Sequence, residues 1–313
     1  MRSWRRLIVA LASALTMTLT LSACSAVSFG VANLPTYFSG IQRIAGVAFG
    51  ADARQRLDIY RPPGAAGATP VIVFWYGGSW DNGARRDYRF VGVALAQLGY
   101  LTVVADYRLY PQVRFPQFLD DGAQAVGWVE RHAADYGGDP QRIVLMGHSA
   151  GAHMAAMLAL NRRYLEQAGA DPDSIVGFIG LSGPYGLTPN TAALNDTFRA
   201  PFTPYDWQVL PYVSSRSPPA LLLHGRADRL VALSNTEALA AALRAQGRPV
   251  ETRIYDGRGH VDMLAALSLP ARSRAPVLQD IALFMRQLDS AGGSSAPFST
   301  APAPLKQLSP PRT

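Results

Sequence analysis

A serine stands at the centre of Gly-His-Ser-Ala-Gly, residues 147–151. Four apolar residues precede this motif and indicate a buried strand, and an alanine- and leucine-rich stretch after it indicates a helix. A serine at such a strand-to-helix turn needs small neighbours, because the backbone is strained and flanking side chains would collide. The turn also places the hydroxyl at a helix N-terminus, where backbone N–H groups favour developing negative charge. The pattern predicts that Ser149 is a catalytic nucleophile.

A serine hydroxyl is a poor nucleophile and needs a base, normally a histidine that a carboxylate orients. Five histidines compete for this role. His260 lies in a glycine-rich loop after the last predicted strand, and such a loop can deliver an imidazole to the sheet edge that holds the serine. We therefore predict His260 as the base. The other four histidines have structural explanations. His132 lies on a helix surface, and the side chain of His148 diverges from that of its neighbour Ser149. His153 is expected to pack against the sheet, and His224 ends a strand.

The acid of the set is expected on a loop between the serine and the histidine. Asp228 follows the predicted strand 220–223 within a few residues, so it belongs at the same sheet edge. Asp256 is the competitor, but it precedes His260 by only four residues in one tight loop, and a facing geometry is difficult there. A role for Asp228 as a turn or helix-capping residue is the alternative. We predict Asp228 as the residue that orients His260.

Preorganised N–H groups are needed to stabilise the oxyanion of an acyl-transfer reaction. One comes from Ala150, the residue after the nucleophile. The others are expected from the glycine-rich loop after the strand 71–75, where absent side chains let the backbone approach a substrate. We predict that Gly78 and Ser79 supply them.

The elements around these residues alternate between strands and helices. This alternation predicts an α/β fold with a mostly parallel sheet that helices cover on both faces. The predicted strands are residues 54–60, 71–75, 101–105, 143–146, 175–181, 220–223 and 250–255. The predicted helices are residues 88–98, 118–136, 152–160, 235–244 and 277–288.

One catalytic domain is expected over residues 41–289, with an insertion over 183–218 that is too long for a simple strand connection. The insertion carries, among its prolines, the aromatic residues Phe198, Phe202, Tyr205, Trp207 and Tyr212. They form either part of a cap over the site or the insertion's own small core. Residues 290–313 are rich in Ser, Ala and Pro and are predicted to be disordered.

The N-terminal pattern predicts an export signal over residues 1–23. Three arginines lie among the first six residues, and an apolar stretch covers residues 7–21. Leu-Ser-Ala-Cys then resembles the bacterial lipobox, which implies that Cys24 is lipidated and that residues 24–40 tether the domain to a membrane. Ser25 is not the aspartate associated with inner-membrane retention, so in a Gram-negative cell the resemblance favours the outer membrane. An ordinary cleavage site or an uncleaved anchor is the alternative.

Composition excludes several classes of chemistry. Lys306 is the only lysine, which argues against Schiff-base chemistry and excludes a Walker A lysine. Cys24 is the only cysteine and no His-Glu-x-x-His motif occurs, so we predict no metal site and no cofactor. The net charge is +7, but three of the arginines lie in the predicted signal and the others are scattered without an aromatic platform, so we predict no nucleic-acid partner.

With these residues identified, the chain resembles the esterase/lipase branch of the α/β-hydrolases, closest to carboxylesterases and arylformamidase-like enzymes with a His-Gly-Gly-x-Trp loop. The order Ser149, Asp228, His260 is the α/β-hydrolase order. The resemblance covers about residues 54–288, and it implies the α/β-hydrolase fold. It is carried by LDIYRP (57–62), GGSW (77–80), DYRLYP (106–111), GHSAG (147–151) and the loops around Asp228 and His260. Tyr76 departs from the family, which usually has histidine there.

The expected function is a serine hydrolase that cleaves small-molecule carboxylic esters through an acyl-enzyme intermediate. An arylformamidase-type amidase is the alternative within enzymes, because the same acyl-enzyme route serves activated amides. A serine peptidase is less favoured, because no substrate-gating domain precedes the catalytic one. A binding protein that kept the fold and lost catalysis is the non-enzyme alternative.

Overall fold

The computed structural model describes residues 27–64 and 68–293 of the 313-residue chain. Its centre is one eight-stranded sheet in the order β1-β2-β4-β3-β5-β6-β7-β8. The strands are β1 Gln42–Ala48, β2 Arg56–Arg61, β3 Thr69–Trp75, β4 Leu101–Ala105, β5 Gly138–His148, β6 Ile175–Leu181, β7 Ala220–Gly225 and β8 Val250–Tyr255.

The helices connect and cover these strands. They are α1 27–33, α2 Arg89–Ala96, α3 Gln117–His132, α4 Ala150–Leu160, α5 Arg163–Gln167, α6 Ala192–Thr197, α7 Pro204–Trp207, α8 Ser234–Ala245, α9 His260–Ala265 and α10 Val277–Gly293. Short 3-10 helices include Leu34–Phe38, directly after α1, and Leu269–Arg274, between α9 and α10.

Strands β3 to β8 run parallel to one another, and β2 pairs in the antiparallel direction with both of its neighbours, β1 and β4. The central strands are buried on both faces, which is why they read as continuous apolar runs. Because parallel strands end at one edge, the loops after β3, β5, β7 and β8 meet there. The structure thus has the predicted α/β architecture with a mostly parallel sheet.

Two segments near the N-terminus differ from the sequence-based expectation. β1 was not predicted, because this edge strand is only partly buried and its pattern is interrupted at Gly46, which has φ 74° and lies at a register shift between Ile44 and Val47. Residues 27–38, expected as part of a tether, instead form α1 and the 3-10 helix Leu34–Phe38. Phe29 on α1 packs edge-on against Tyr88, with ring centroids 5.1 Å apart, and this tertiary contact orders the segment.

The insertion between β6 and β7 contains α6, α7 and a 3-10 helix, Leu210–Tyr212. Its Phe198 and Trp207 are buried, and Phe198 packs against Trp80 and Phe118 of the domain body. These aromatic side chains therefore join the main core and do not form a separate one.

At the other end of the chain, α10 continues to Gly293, so the helix extends four residues into the predicted tail 290–313. The rest of that tail, the predicted signal 1–23 and Cys24 lie outside the described residues. Within the described part of the chain, no helix has the length and apolar character needed to cross a bilayer.

Candidate active site

Ser149 occupies a sharp turn between β5 and α4. Its backbone has φ 55° and ψ −121°, a conformation that few non-glycine residues adopt. A Cβ on Gly147 would lie 2.1 Å from the carbonyl oxygen of Gly151, and a Cβ on Gly151 would lie 2.1 Å from that of Trp75. Both glycines are therefore required by close backbone contacts, as the sequence motif predicts.

His260 and Asp228 form a hydrogen-bonded pair at the same sheet edge. His260 Nδ1 lies 2.7 Å from Asp228 Oδ2, and the carboxylate is fully buried while the imidazole is 10% exposed. Because a carboxylate only accepts, Nδ1 carries the proton and Nε2 is left as the basic nitrogen. This is the pairing that the sequence predicts. Asp256 is instead 84% exposed and pairs with Arg226 at 2.6 Å.

The Asp228 carboxylate is held from several sides. Its Oδ1 accepts hydrogen bonds from the backbone N–H groups of Leu230 and Val231, both at 2.9 Å. Burial alone would raise the pKa of Asp228, but the Val231 N–H and the His260 imidazole outweigh it and lower the pKa below its usual value. The carboxylate therefore stays ionised and fixed in orientation beside His260.

A second histidine, His224, also reaches this carboxylate. His224 Nε2 lies 3.0 Å from the carbonyl oxygen of Val231 and 3.3 Å from Asp228 Oδ2, so its proton is shared between them. Nδ1 accepts from Thr236 Oγ1 at 2.8 Å, which fixes the tautomer. Burial lowers the pKa of His224. The predicted structural role of His224 at a strand end thus includes direct contact with the Asp228 carboxylate, which the sequence did not reveal.

His148 positions the backbone of His260. His148 Nε2 donates to the His260 carbonyl oxygen at 3.1 Å, and the two ring centroids lie 4.7 Å apart. Within the described residues, no hydrogen bond joins the Ser149 hydroxyl to His260. Such bonds are often long in unliganded sites and tighten when substrate binds.

The loop of residues 76–83, here called the oxyanion loop because it contains two of the predicted donors, lies directly against Ser149. A Cβ on Gly77 would lie 2.8 Å from the Ser149 Cβ, and a Cβ on Gly78 would lie 2.3 Å from the Asn82 carbonyl oxygen. Ser79 has a left-handed backbone, with φ 49°. None of the hydrogen bonds found within the described chain uses the N–H groups of the three predicted donors, Gly78, Ser79 and Ala150.

Tyr76 holds the start of this loop through a buried polar network. Its hydroxyl donates to Asp106 Oδ1 at 2.7 Å and accepts from Arg54 at 2.9 Å. The ring stacks on Tyr88 and on Tyr107, with centroids 5.0 Å away in each case. Tyr76 stands where the related family usually has histidine, and these contacts support the loop in place of those that a histidine would make. The sequence did not identify Asp106 or Arg54 as members of this network.

Beside Ser149 lies a cleft of about 280 Å³. The oxyanion loop forms one wall, and the insertion and the loop after Asp228 form others. Its lining includes Ser79, Trp80, Leu187, Leu194, Leu230 and Val231. The insertion therefore contributes directly to the space in which a substrate would bind.

The two remaining histidines have structural surroundings. His132 is partly exposed, stacks on Trp128 and lies 3.5 Å from Asp135. His153 is fully buried, and its Nε2 lies 2.6 Å from the carbonyl oxygen of Trp207, so it packs against the insertion more than against the sheet. No group of three or more potential metal ligands is assembled among the residues described.

Among known proteins, the chain is similar to several esterases. Isoprenylcysteine alpha-carbonyl methylesterase ICME of Arabidopsis thaliana is 31% identical over 250 residues, which cover 73% of this chain and 58% of that protein. Esterase LipQ of Mycobacterium tuberculosis is 30% identical over 300 residues, which cover 88% of this chain and 71% of LipQ. The chain spans between 50% and 64% of the plant methylesterases that it matches.

Solved structures agree with the fold. A carbohydrate esterase from gut microbiota superposes with a TM-score of 0.70 at 19% identity, covering 80% of this chain and 96% of that one. Thermogutta terrifontis esterase 2 phosphoramylated by tabun gives a TM-score of 0.65 at 22% identity, covering 80% and 95%. The fold is therefore the α/β-hydrolase fold. The BD-FAE family model matches residues 57–243, which are more than half of the 313 residues of this chain. The chain therefore belongs to the BD-FAE family.

Proposed function

We propose that this protein is a serine hydrolase that cleaves carboxylic esters through an acyl-enzyme intermediate. The observation that carries the proposal is the 2.7 Å bond from His260 to the buried Asp228, at the sheet edge where the strained Ser149 turn and the oxyanion loop meet. The esterase relatives support the same reaction class.

In the proposed first half-reaction, Ser149 Oγ attacks the ester carbonyl carbon while His260 Nε2 takes the hydroxyl proton. The carbonyl oxygen becomes an oxyanion that faces the N–H groups of Gly78, Ser79 and Ala150. When the tetrahedral intermediate collapses, the bond to the alcohol oxygen breaks and His260 returns the proton to that oxygen. The alcohol leaves, and the acyl group remains on Ser149.

In the second half-reaction, water attacks the acyl carbon and His260 accepts one of its protons. Collapse of the second tetrahedral intermediate breaks the bond to Ser149 Oγ, which recovers its proton from His260. The carboxylic acid leaves. Asp228 stays ionised throughout and stabilises the imidazolium that forms in each half-reaction. Its bonds to the Leu230 and Val231 N–H groups prevent it from turning away from His260.

The dimensions and lining of the cleft suggest the substrate class. At about 280 Å³ the cleft lies at the lower end of small-molecule sites, which fits an ester with a short acyl chain. Leu230, which lines the cleft, is 71% exposed, and Val261, next to His260, is 65% exposed. The exposed apolar Leu230 at the cleft favours a substrate whose alcohol portion is apolar.

We also propose that the protein is exported and lipid-anchored in the cell envelope through Cys24. The support is the sequence alone: an arginine-containing start, the apolar residues 7–21 and the lipobox-like Leu-Ser-Ala-Cys. Cys24→Ser should release the protein from the membrane fraction or block its processing. Unchanged membrane association with an uncleaved N-terminus would instead indicate a retained signal anchor.

Covalent labelling and turnover together test the hydrolase proposal. Ser149→Ala should abolish labelling by a fluorophosphonate probe and reduce ester turnover to the level left by binding and the oxyanion loop. His260→Ala should reach nearly the same level, with the double variant no lower, because the two residues act as one unit. Ser215→Ala, at an exposed turn, is the matched control and should label and turn over like the unsubstituted protein.

A substrate panel separates the alternatives. Aryl esters of graded acyl length, run beside N-formylkynurenine, distinguish an esterase from an arylformamidase-type amidase. A folded Ser149→Ala variant that keeps most of the activity would refute the serine mechanism. A native protein that neither labels nor hydrolyses any of these compounds would favour a binding protein.

A further inference from the structure

Exposed apolar side chains are concentrated at the start of the described chain. Of the ten large hydrophobic residues that are exposed in the described residues, half lie between residues 27 and 38. Each of these five is more than half exposed, and Phe38 is 85% exposed. We call this group the N-terminal apolar surface: Val27, Val31, Leu34, Tyr37 and Phe38. Contiguous exposed apolar side chains of this kind mark interaction sites in soluble domains.

The opposite face of the same segment is fixed to the domain. Asn33 Nδ2 donates to the carbonyl oxygen of Asp87 at 2.8 Å, and Asn33 Oδ1 accepts from the N–H of Phe90 at 2.9 Å. Phe29 packs against Tyr88, and Thr36 is buried. The N-terminal apolar surface is therefore held in one orientation, and its exposure does not come from an unattached segment.

The surface continues into an apolar groove. A cavity of about 520 Å³ lies between the 3-10 helix Leu34–Phe38, α2 and the segment after α9. Phe38 and Leu269 line it, and Leu269 is 62% exposed. Two separate parts of the chain thus contribute to one exposed apolar region.

Two arginines lie beside this region. The first 51 residues contain no aspartate or glutamate. The Arg89 guanidinium lies 4.2 Å from the ring centroid of Tyr37, and Arg272 lines the groove. An apolar surface with arginines and few carboxylates suits a lipid bilayer with anionic head groups, which attracts the arginines while the apolar side chains enter the boundary with the acyl chains.

The position of the surface in the chain favours the same partner. The apolar residues 7–21 end six residues before Val27, and Cys24 lies three residues before it. A bilayer that holds either the apolar segment or a lipid on the cysteine must therefore lie close to α1. We propose that the N-terminal apolar surface rests on an anionic lipid bilayer and orients the domain on the membrane.

Site-specific fluorescence tests this proposal on the full chain. Cys24 is the only cysteine, so Cys24→Ser gives a background in which one new cysteine carries an environment-sensitive label. The test position is Phe38→Cys, and the matched control is Leu283→Cys, an exposed apolar position on α10. The proteins are added to vesicles of phosphatidylcholine and phosphatidylglycerol that contain a lipid spin-labelled near the head group.

The label at position 38 should shift to shorter wavelength and lose at least about half of its emission to the spin-labelled lipid, as expected for a group at the interface. The label at position 283 should do neither. Adding Val31→Ser and Leu34→Ser should remove most of the quenching at position 38, with the circular dichroism of the domain unchanged. Phosphatidylcholine alone should give weaker quenching than the anionic mixture.

Three results would overturn the proposal. A short-wavelength emission without vesicles that rises with protein concentration would show that a second copy covers the surface. The same emission without concentration dependence would show that the chain's own apolar segment covers it. Quenching that persists after both serine substitutions would show that the apolar residues 7–21, and not this surface, bring position 38 to the bilayer. None of these readouts depends on ester hydrolysis, so the hydrolase proposal is tested separately.

Discussion

Tyr76→Phe tests whether the buried network behind the oxyanion loop stabilises both the fold and the site. The substitution keeps the ring, with its stacking on Tyr88 and Tyr107, and removes only the hydroxyl. Asp106 then loses a donor at 2.7 Å, and Arg54 loses an acceptor at 2.9 Å. The change therefore isolates two hydrogen bonds between a neutral hydroxyl and charged groups.

Hydrogen bonds to charged groups contribute about 1.5–3 kcal/mol each, and the larger losses occur when the partner is left unpaired. Neither partner is left unpaired here. Asp106 keeps the backbone N–H and the guanidinium of Arg85, and Arg54 keeps the carbonyl oxygens of Tyr107 and Gly83. We therefore expect the lower end for each bond, which gives a loss of about 3 kcal/mol in the free energy of unfolding.

The same variant should slow catalysis through the position of the loop. One lost oxyanion donor typically costs about 100- to 1,000-fold in kcat. A loop that is less firmly held keeps its donors but places them less well, so we expect a decrease of about tenfold in kcat with KM little changed. A merely destabilising change would leave the kcat of the folded fraction unaltered.

Urea denaturation and ester hydrolysis by the folded protein measure the two effects. Tyr88→Phe is the matched control, because Tyr88 belongs to the same aromatic stack and its hydroxyl makes no hydrogen bond within the described chain. The control should lose less than about 1 kcal/mol and keep its kcat. Equal stabilities of the two variants, or an unchanged kcat in Tyr76→Phe, would refute the role assigned to the network.

Three further outcomes follow from the site. Asp228→Asn should lower kcat by about 10,000-fold in an ester assay, since the amide cannot stabilise the imidazolium; Asp256→Asn should change it little, and the reverse ranking would reassign the acid. Burial lowers the pKa of His148 to about 3 and that of His153 to about 4, from 6.5. Unfolding therefore takes up protons below pH 6.5, and the two residues should together cost about 4 kcal/mol of stability at pH 5 relative to pH 8. Urea titrations that give equal stability at both pH values would contradict this. Gly151→Ala should prevent the elbow from forming and yield insoluble or inactive protein, because its Cβ would meet the Trp75 carbonyl oxygen at 2.1 Å.

The parts of the fold that the sequence predicted well are those whose signal is local. The ranges of β4, β6 and β8 agree with prediction at both ends. Strands inside a parallel sheet appear in the sequence as apolar runs, and turn residues mark where strands begin and end. The signal of β1 is weaker, because Gly46 and a register shift interrupt the strand and its side chains are only partly buried at the sheet edge. α1 was missed because its order depends on contacts with residues more than fifty positions away, such as the bonds of Asn33.

The same distinction applies to the site. The glycines around Ser149 have a local steric reason, and the structure shows the contacts that require them. The pairing of His260 with Asp228 could be predicted because both loops follow parallel strands and must reach one edge. Asp106 and Arg54 could not be found this way. Their role depends on where the Tyr76 hydroxyl points, which the order of residues along the chain does not specify.

The aromatic stack has a consequence for how much of the chain a working domain needs. Phe29 packs on Tyr88, Tyr88 stacks on Tyr76, and Tyr76 begins the oxyanion loop, so an unbroken row of rings runs from α1 to the site. A version of the protein shortened to begin at residue 41 would uncover Tyr88 and leave the Phe90 N–H without the Asn33 side chain. Residues 27–38, which the sequence predicts as part of a tether, therefore support the oxyanion loop through these contacts. Removing them to obtain a more soluble protein would weaken the loop on which the proposed reaction depends.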